Sequence, residues 1–144
     1  MNRIATAQAR LEHATDLPAV LDASYDAFAD ILAVLRHPQE QAEDGFPAFV
    51  LSASAAASGR DCIAFAPSLP PAPARSGRAS IGDLLEGEHW IQVAIAIAHV
   101  SQSLVYSLTA VAVAALSPDD QAACHSAVTY AGQINELLAG AELL

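Results

Sequence analysis

The run His89-Trp-Ile-Gln-Val-Ala-Ile-Ala-Ile-Ala-His-Val-Ser-Gln-Ser-Leu-Val-Tyr-Ser-Leu-Thr-Ala-Val-Ala-Val-Ala-Ala-Leu-Ser-Pro118 holds thirty consecutive residues without Asp, Glu, Lys or Arg. The chain around it has a formal charge of −10. Read as a helix, residues 90 to 116 are apolar on nearly every side, and a helix apolar all round is buried all round. The expectation is a long central helix enclosed by the rest of the chain.

At about 100° per residue, Gln92, His99, Gln102, Ser103 and Tyr106 share one narrow face. Val93, Ile97, Val100, Leu104, Leu108 and Val111 share the other. Gln92, His99 and Tyr106 occupy one heptad position, continued by Leu85 below and Val113 above. On a buried helix such a polar ladder needs partners, water or a ligand, because an unpaired buried amide or hydroxyl costs roughly 1 to 3 kcal/mol. These five residues are therefore the candidate ligand-binding set, with apolar walls expected from Phe28, Phe49 and Ile95. His99, an imidazole between Gln and Tyr in a low-dielectric core, is the best candidate for a general acid or base.

Working outward, the connections are short or proline-marked. Ser117-Pro-Asp-Asp120 carries a capping signal with Pro at the first helical position, so a last helix follows after one tight turn. It keeps Ala123, Ala127, Tyr130, Ala131, Ile134, Leu137, Leu138 and Ala141 on one face and leaves His125 on the surface. Upstream, Ser80-Ile-Gly-Asp83 repeats the box. Residues 66–79 hold four of the eight prolines and no acid, and form a loop that is neither helix nor strand. Thr15-Asp-Leu-Pro18 starts a helix with the stripe Leu17, Val20, Leu21, Phe28, Ile31, Leu32 and Leu35, closed at His37-Pro38. Asp22, Asp26 and Asp30 fall on its outer face, read as a solvated row, and Ser24 within the stripe is read as bonding back to the carbonyl four residues earlier. A further helix begins at Phe46-Pro47, and Gly59 either caps it or is absorbed into a longer helix reaching Phe65, the reading preferred here. Its segment 52–58 contains only Ser and Ala, so a neighbouring helix can approach closely. Ile4, Ala7 and Leu11 mark a short N-terminal helix, read as a lid or a swapped arm.

Together these readings predict an all-α protein: an up-and-down bundle of four main helices plus a short N-terminal one, in a single domain over 1–144, with about a quarter of the residues Ala. All six basic residues are Arg, which with the Ala content points to a GC-rich bacterial coding genome. The charge of −10 argues against nucleic acid or an anionic membrane surface as partner. Residues 90 to 116 are long enough to span a bilayer, but Gln92, His99 and Gln102 disfavour lipid and both flanks are acidic, so no membrane is expected. Two cysteines, Cys62 and Cys124, and a polar N-terminus fit free thiols in a cytoplasmic protein.

No cofactor or metal is expected. Glu86-Gly-Glu-His89 has the spacing of one half of a dinuclear carboxylate site, but the second half is missing. A central helix of about 43 Å from Glu88 to Leu116 outruns its neighbours and suggests a homodimer. The function these features favour is a non-catalytic module that binds a protein partner or a small apolar ligand. The alternative is a small biosynthetic enzyme or accessory factor using His99.

Overall fold

The computed structural model describes residues 3–39, 47–70 and 90–139. They form five helices and no strand: α1 (Arg3–His13), α2 (Leu17–Gln39), α3 (Pro47–Ala64), α4 (Trp90–Ala114) and α5 (Pro118–Ala139). The all-α bundle of four main helices with a short N-terminal one is the observed fold. The Ser80 box, Gly87, the Glu86–His89 spacing and most of the proline-rich loop lie outside the described residues.

Each start has a local cause. Asp16 caps α2 by accepting a hydrogen bond from the Ala19 amide at 2.8 Å. Ser117 caps α5, accepting from the Asp120 amide at 3.4 Å, with Pro118 in the first turn, where a missing N–H removes no intrahelical bond. α2 runs to Gln39, one residue beyond the Pro38 expected to close it. α3 absorbs Gly59 and ends at Ala64, the longer of the two readings of this glycine.

The four long helices make a ring in the order α2, α3, α5, α4, with α2 also touching α4 to close it. Ring neighbours run antiparallel. The short links place α2 against α3 and α4 against α5. For α3 against α5, Leu51 and Leu137 line the same groove at one end while Ser68, just past α3, bonds Asp120 at the other. The chain thus passes from α3 to α4 diagonally across the ring rather than to an adjacent helix. α1 packs on both α2 and α4, burying Ile4, Ala7 and Leu11 to 6% exposure or less. It fills a seam of its own chain, so the lid or swapped-arm reading is corrected.

Two polar contacts fix that seam. Arg10 pairs with Asp26 and, at 3.1 Å, with Asp22. Two of the three aspartates read as a solvated row therefore anchor α1; what marked this in the sequence was Arg10, one of few cations in an acidic chain. Gln8 Nε2 donates to Ser103 Oγ on α4 at 2.7 Å and to Glu12 Oε1 at 2.8 Å. On the far side of α4, Asn135 Nδ2 donates to the Ala98 carbonyl at 2.9 Å, tying α5 to α4.

The buried residues form one continuous core. Its tightest contact is between α2 and α3, where a Cβ placed on Gly59 would lie 2.5 Å from the Phe28 ring, itself fully buried. Ser24 and Ser52 are fully buried in the same helices with no hydroxyl partner among the described residues. The expected back-bond of Ser24 is not made, whereas Ser101 makes one, at 2.8 Å to the Ile97 carbonyl. Small side chains at these places serve close helix approach. Gly59→Ala should therefore destabilise the bundle by about 1 to 3 kcal/mol through overpacking, and Phe28→Leu in the same chain should recover part of the loss. Urea unfolding of the two variants measures this, and a neutral Gly59→Ala would contradict the packing described.

Candidate functional site

α4 divides cleanly into two faces. Val93, Ile97, Val100, Leu104, Leu108 and Val111, the apolar set read from the sequence, are all buried against α1, α2 and α5. The polar ladder opposite them is not. Gln92, His99 and Gln102 are exposed, Tyr106 is 69% exposed, and Ser103 is half-buried and takes the hydrogen bond from Gln8. The expectation of a buried ladder is thus corrected. Three helices cover α4 on one side only, and the side left over is the one carrying Gln, His and Tyr. Absence of charge was mistaken for burial, although folded proteins leave much apolar surface in water.

The expected walls do not converge on this set either. Phe28 packs on Gly59, Phe49 belongs to α3, which packs on α2 and α5, and only Ile95 shares the outer half of α4. Among the described residues no hydrogen bond to the His99 ring is found, and α4 carries no carboxylate. Its side chain faces solvent rather than a buried core.

What the outer face of α4 does present is a long, uncharged surface. Exposed Ile91, Tyr106 and Val113, at 38%, 69% and 84%, lie along it, and Leu116 at its end is 99% exposed. Every other helix puts charge in the solvent: Glu12 on α1, Arg36 on α2, Asp61 on α3, Asp119 and Glu136 on α5. By length and composition Ile91–Ala114 is also the one candidate membrane span among the described residues, with 44% of its most apolar window buried inside the bundle.

Two open concavities lie elsewhere. One, of about 420 Å³, runs between α3 and α5 past Leu51, Ser54, Ser58, Tyr130 and Glu136. It exists because the Ser/Ala run of α3 is too small to fill the space. The other lies where the end of α3 meets the start of α5, lined by Cys62, Phe65, Asp119 and Ser126. Neither includes a residue of the ladder. No group of three or more His, Cys, Asp or Glu side chains is placed to hold a metal among the described residues.

One buried polar cluster was missed in the sequence. Asp120, 2% exposed, accepts from the Ser68 amide at 3.0 Å and from the Ser68 hydroxyl at 2.6 Å. Its only sequence signal was the capping box, which explains its place at a helix start but not its link to a residue 52 positions away. Burial, then the charge of Asp120, pushes the Cys124 thiol above its ordinary value; burial, then Asp61, does the same to Cys62. Both are free thiols.

No family model matches the chain, and no curated protein or solved structure matches it either.

Two measurements follow from these placements. At protein concentrations low enough to keep chains apart, His99→Ala and Tyr106→Phe should each change stability by less than about 0.5 kcal/mol, as surface substitutions do. Asp120→Ala should cost about 1 to 3 kcal/mol, because it strips two part-buried donors of Ser68 of a charged acceptor. Thermal melts that ranked them the other way would restore a structural role to the ladder. The thiols predict an alkaline effect. With Cys124 held protonated in the fold, the unfolded chain releases its proton first as pH rises through about 8.5, so stability falls above that value and is unaffected below it. Cys124→Ala should flatten this fall, and an unchanged pH profile would rule out the thiol as its source.

Proposed function

We propose that this protein is a cytoplasmic, non-catalytic interaction module that engages a protein partner through the outer face of α4. The observation carrying this reading is that face itself: a helix of 25 residues, uncharged throughout, with Tyr106 and Val113 in solvent and Leu116 exposed just past its end, on a chain of net charge −10. Gln92, His99, Gln102 and Tyr106 are its binding residues, offering amide, imidazole and phenol groups beside apolar surface. That mixture, aromatic and polar without formal charge, is the composition of a protein interface core, where charged residues are depleted.

A small apolar ligand is less well supported, because such molecules need concave, largely enclosed sites and both concavities are open. The acidic remainder of the surface serves solubility and keeps other faces apart.

The test is site-specific photo-crosslinking. A benzophenone side chain at position 106, in cells producing the protein and in the purified chain, should give a discrete protein adduct. The same group at Thr129, exposed on α5, should give none. Absence of a discrete adduct from position 106 in both settings, or equal labelling from both positions, would overturn the reading.

A further inference from the structure

The exposed face of α4 is more regular than its mixed composition suggests. Gln92, His99, Tyr106 and Val113 are spaced by seven, and so are Ile95, Gln102 and Thr109, while Leu116 lies two residues past the end of the helix. The two series interleave at steps of three and four, which is the a/d pattern of a two-helix seam. Of these seven positions on α4 six are exposed, and Ile95 is half-buried. The same helix already uses its opposite side to fill the bundle core, so the seam has no partner within the described chain.

We propose that the occupant is a second copy of this chain, with the two α4 helices packed antiparallel about a two-fold axis near Leu104. This rests on the interaction-module reading above and names its partner. In this register Ile95 meets Val113 of the second copy, so apolar faces apolar. Gln102 meets Tyr106 of the second copy, an amide against a phenol hydroxyl, and His99 meets Thr109. The two-fold repeats each layer. Sliding the pairing by one heptad one way carries Val113 beyond Trp90, the first residue of the second copy's α4. Sliding it the other way sets Val113 against Gln102.

Charge makes the same choice. Two chains of −10 repel, and salt screens that repulsion only beyond about 8 to 10 Å. Contact through α1, α2, α3 or α5 brings exposed charged side chains such as Glu12, Asp16, Asp61 or Glu136 toward another acidic surface. Contact through α4 brings none. Antiparallel packing also sets the positive end of each helix dipole beside the negative end of the other.

A single helix pair is small for an interface, so association belongs in the micromolar range. Sedimentation velocity of the purified full chain, from about one to a few hundred micromolar, should show a monomer–dimer equilibrium. Val113→Glu, at a site 84% exposed and thus free of folding cost, should weaken it at least tenfold, while Thr129→Glu on α5 should leave it unchanged. In a Cys62→Ser background, Ile95→Cys and Val113→Cys chains should form a disulfide dimer when mixed and not when oxidised separately. Fast dimer formation by each variant alone would mean parallel helices and would overturn the arrangement. A monomer at every concentration, or a dimer indifferent to Val113→Glu, would overturn the second copy as occupant. Co-sedimentation of the monomer with phosphatidylcholine vesicles would assign the face to a bilayer instead. A discrete adduct from position 106 at a mass other than twice 14.9 kDa, with a monomeric purified chain, would retire this inference and leave the module reading standing.

Discussion

Everything in this bundle depends on the one-sided burial of α4. Its inner face supplies Ile97, Leu104 and Leu108, all fully buried, and each of α1, α2 and α5 packs on that face. At roughly 1.5 to 3 kcal/mol for each fully buried aliphatic side chain, those three alone outweigh any single polar contact in the molecule. The polar contacts that do cross to α4, Gln8 to Ser103 and Asn135 to the Ala98 carbonyl, lie at the edges of this surface and fix register more than they supply energy.

Small residues decide how closely the other helices approach. Gly59 under the Phe28 ring, and Ser24 and Ser52 with unpaired hydroxyls, let α2 and α3 pack at short range, and the groove between α3 and α5 is the unfilled consequence of the same small side chains. The diagonal passage from α3 to α4 asks for a tie at the end of α3. Asp120 provides one by holding Ser68 with a buried carboxylate at the start of α5, where the helix dipole also favours negative charge. The folding constraint and the thiol chemistry meet at this point, since Asp120 and burial together keep Cys124 protonated.

The outer face of α4 reads differently once its neighbours are known. As a buried ladder, Gln92, His99, Gln102 and Tyr106 would have required a ligand or a network. As an exposed seam they require nothing of the monomer, and their steps of three and four become the informative feature. A helix can afford to leave such a face in water when the other half is well covered, and evolution's usual marker of a solvent face, a row of Lys and Glu, is missing here along its whole length.

The sequence by itself determined the fold class, the inner face of α4, the caps at Asp16 and Ser117, and the apolar stripes of α1, α2 and α5, because periodicity and capping are local and each residue carries its own share of the signal. It also placed Val113 in the heptad position of Gln92, His99 and Tyr106. It did not determine which side of α4 would be left uncovered, since a helix lacking charge is compatible with burial on any side until its neighbours are counted. Only the tertiary structure decided that, together with the pairing of Arg10 with Asp22 and Asp26 and of Ser68 with Asp120, contacts between residues 12, 16 and 52 positions apart. The physical reason is that burial and pairing are properties of the space between helices, and that space is set by packing among α1, α2, α3 and α5 rather than by any one stretch of chain.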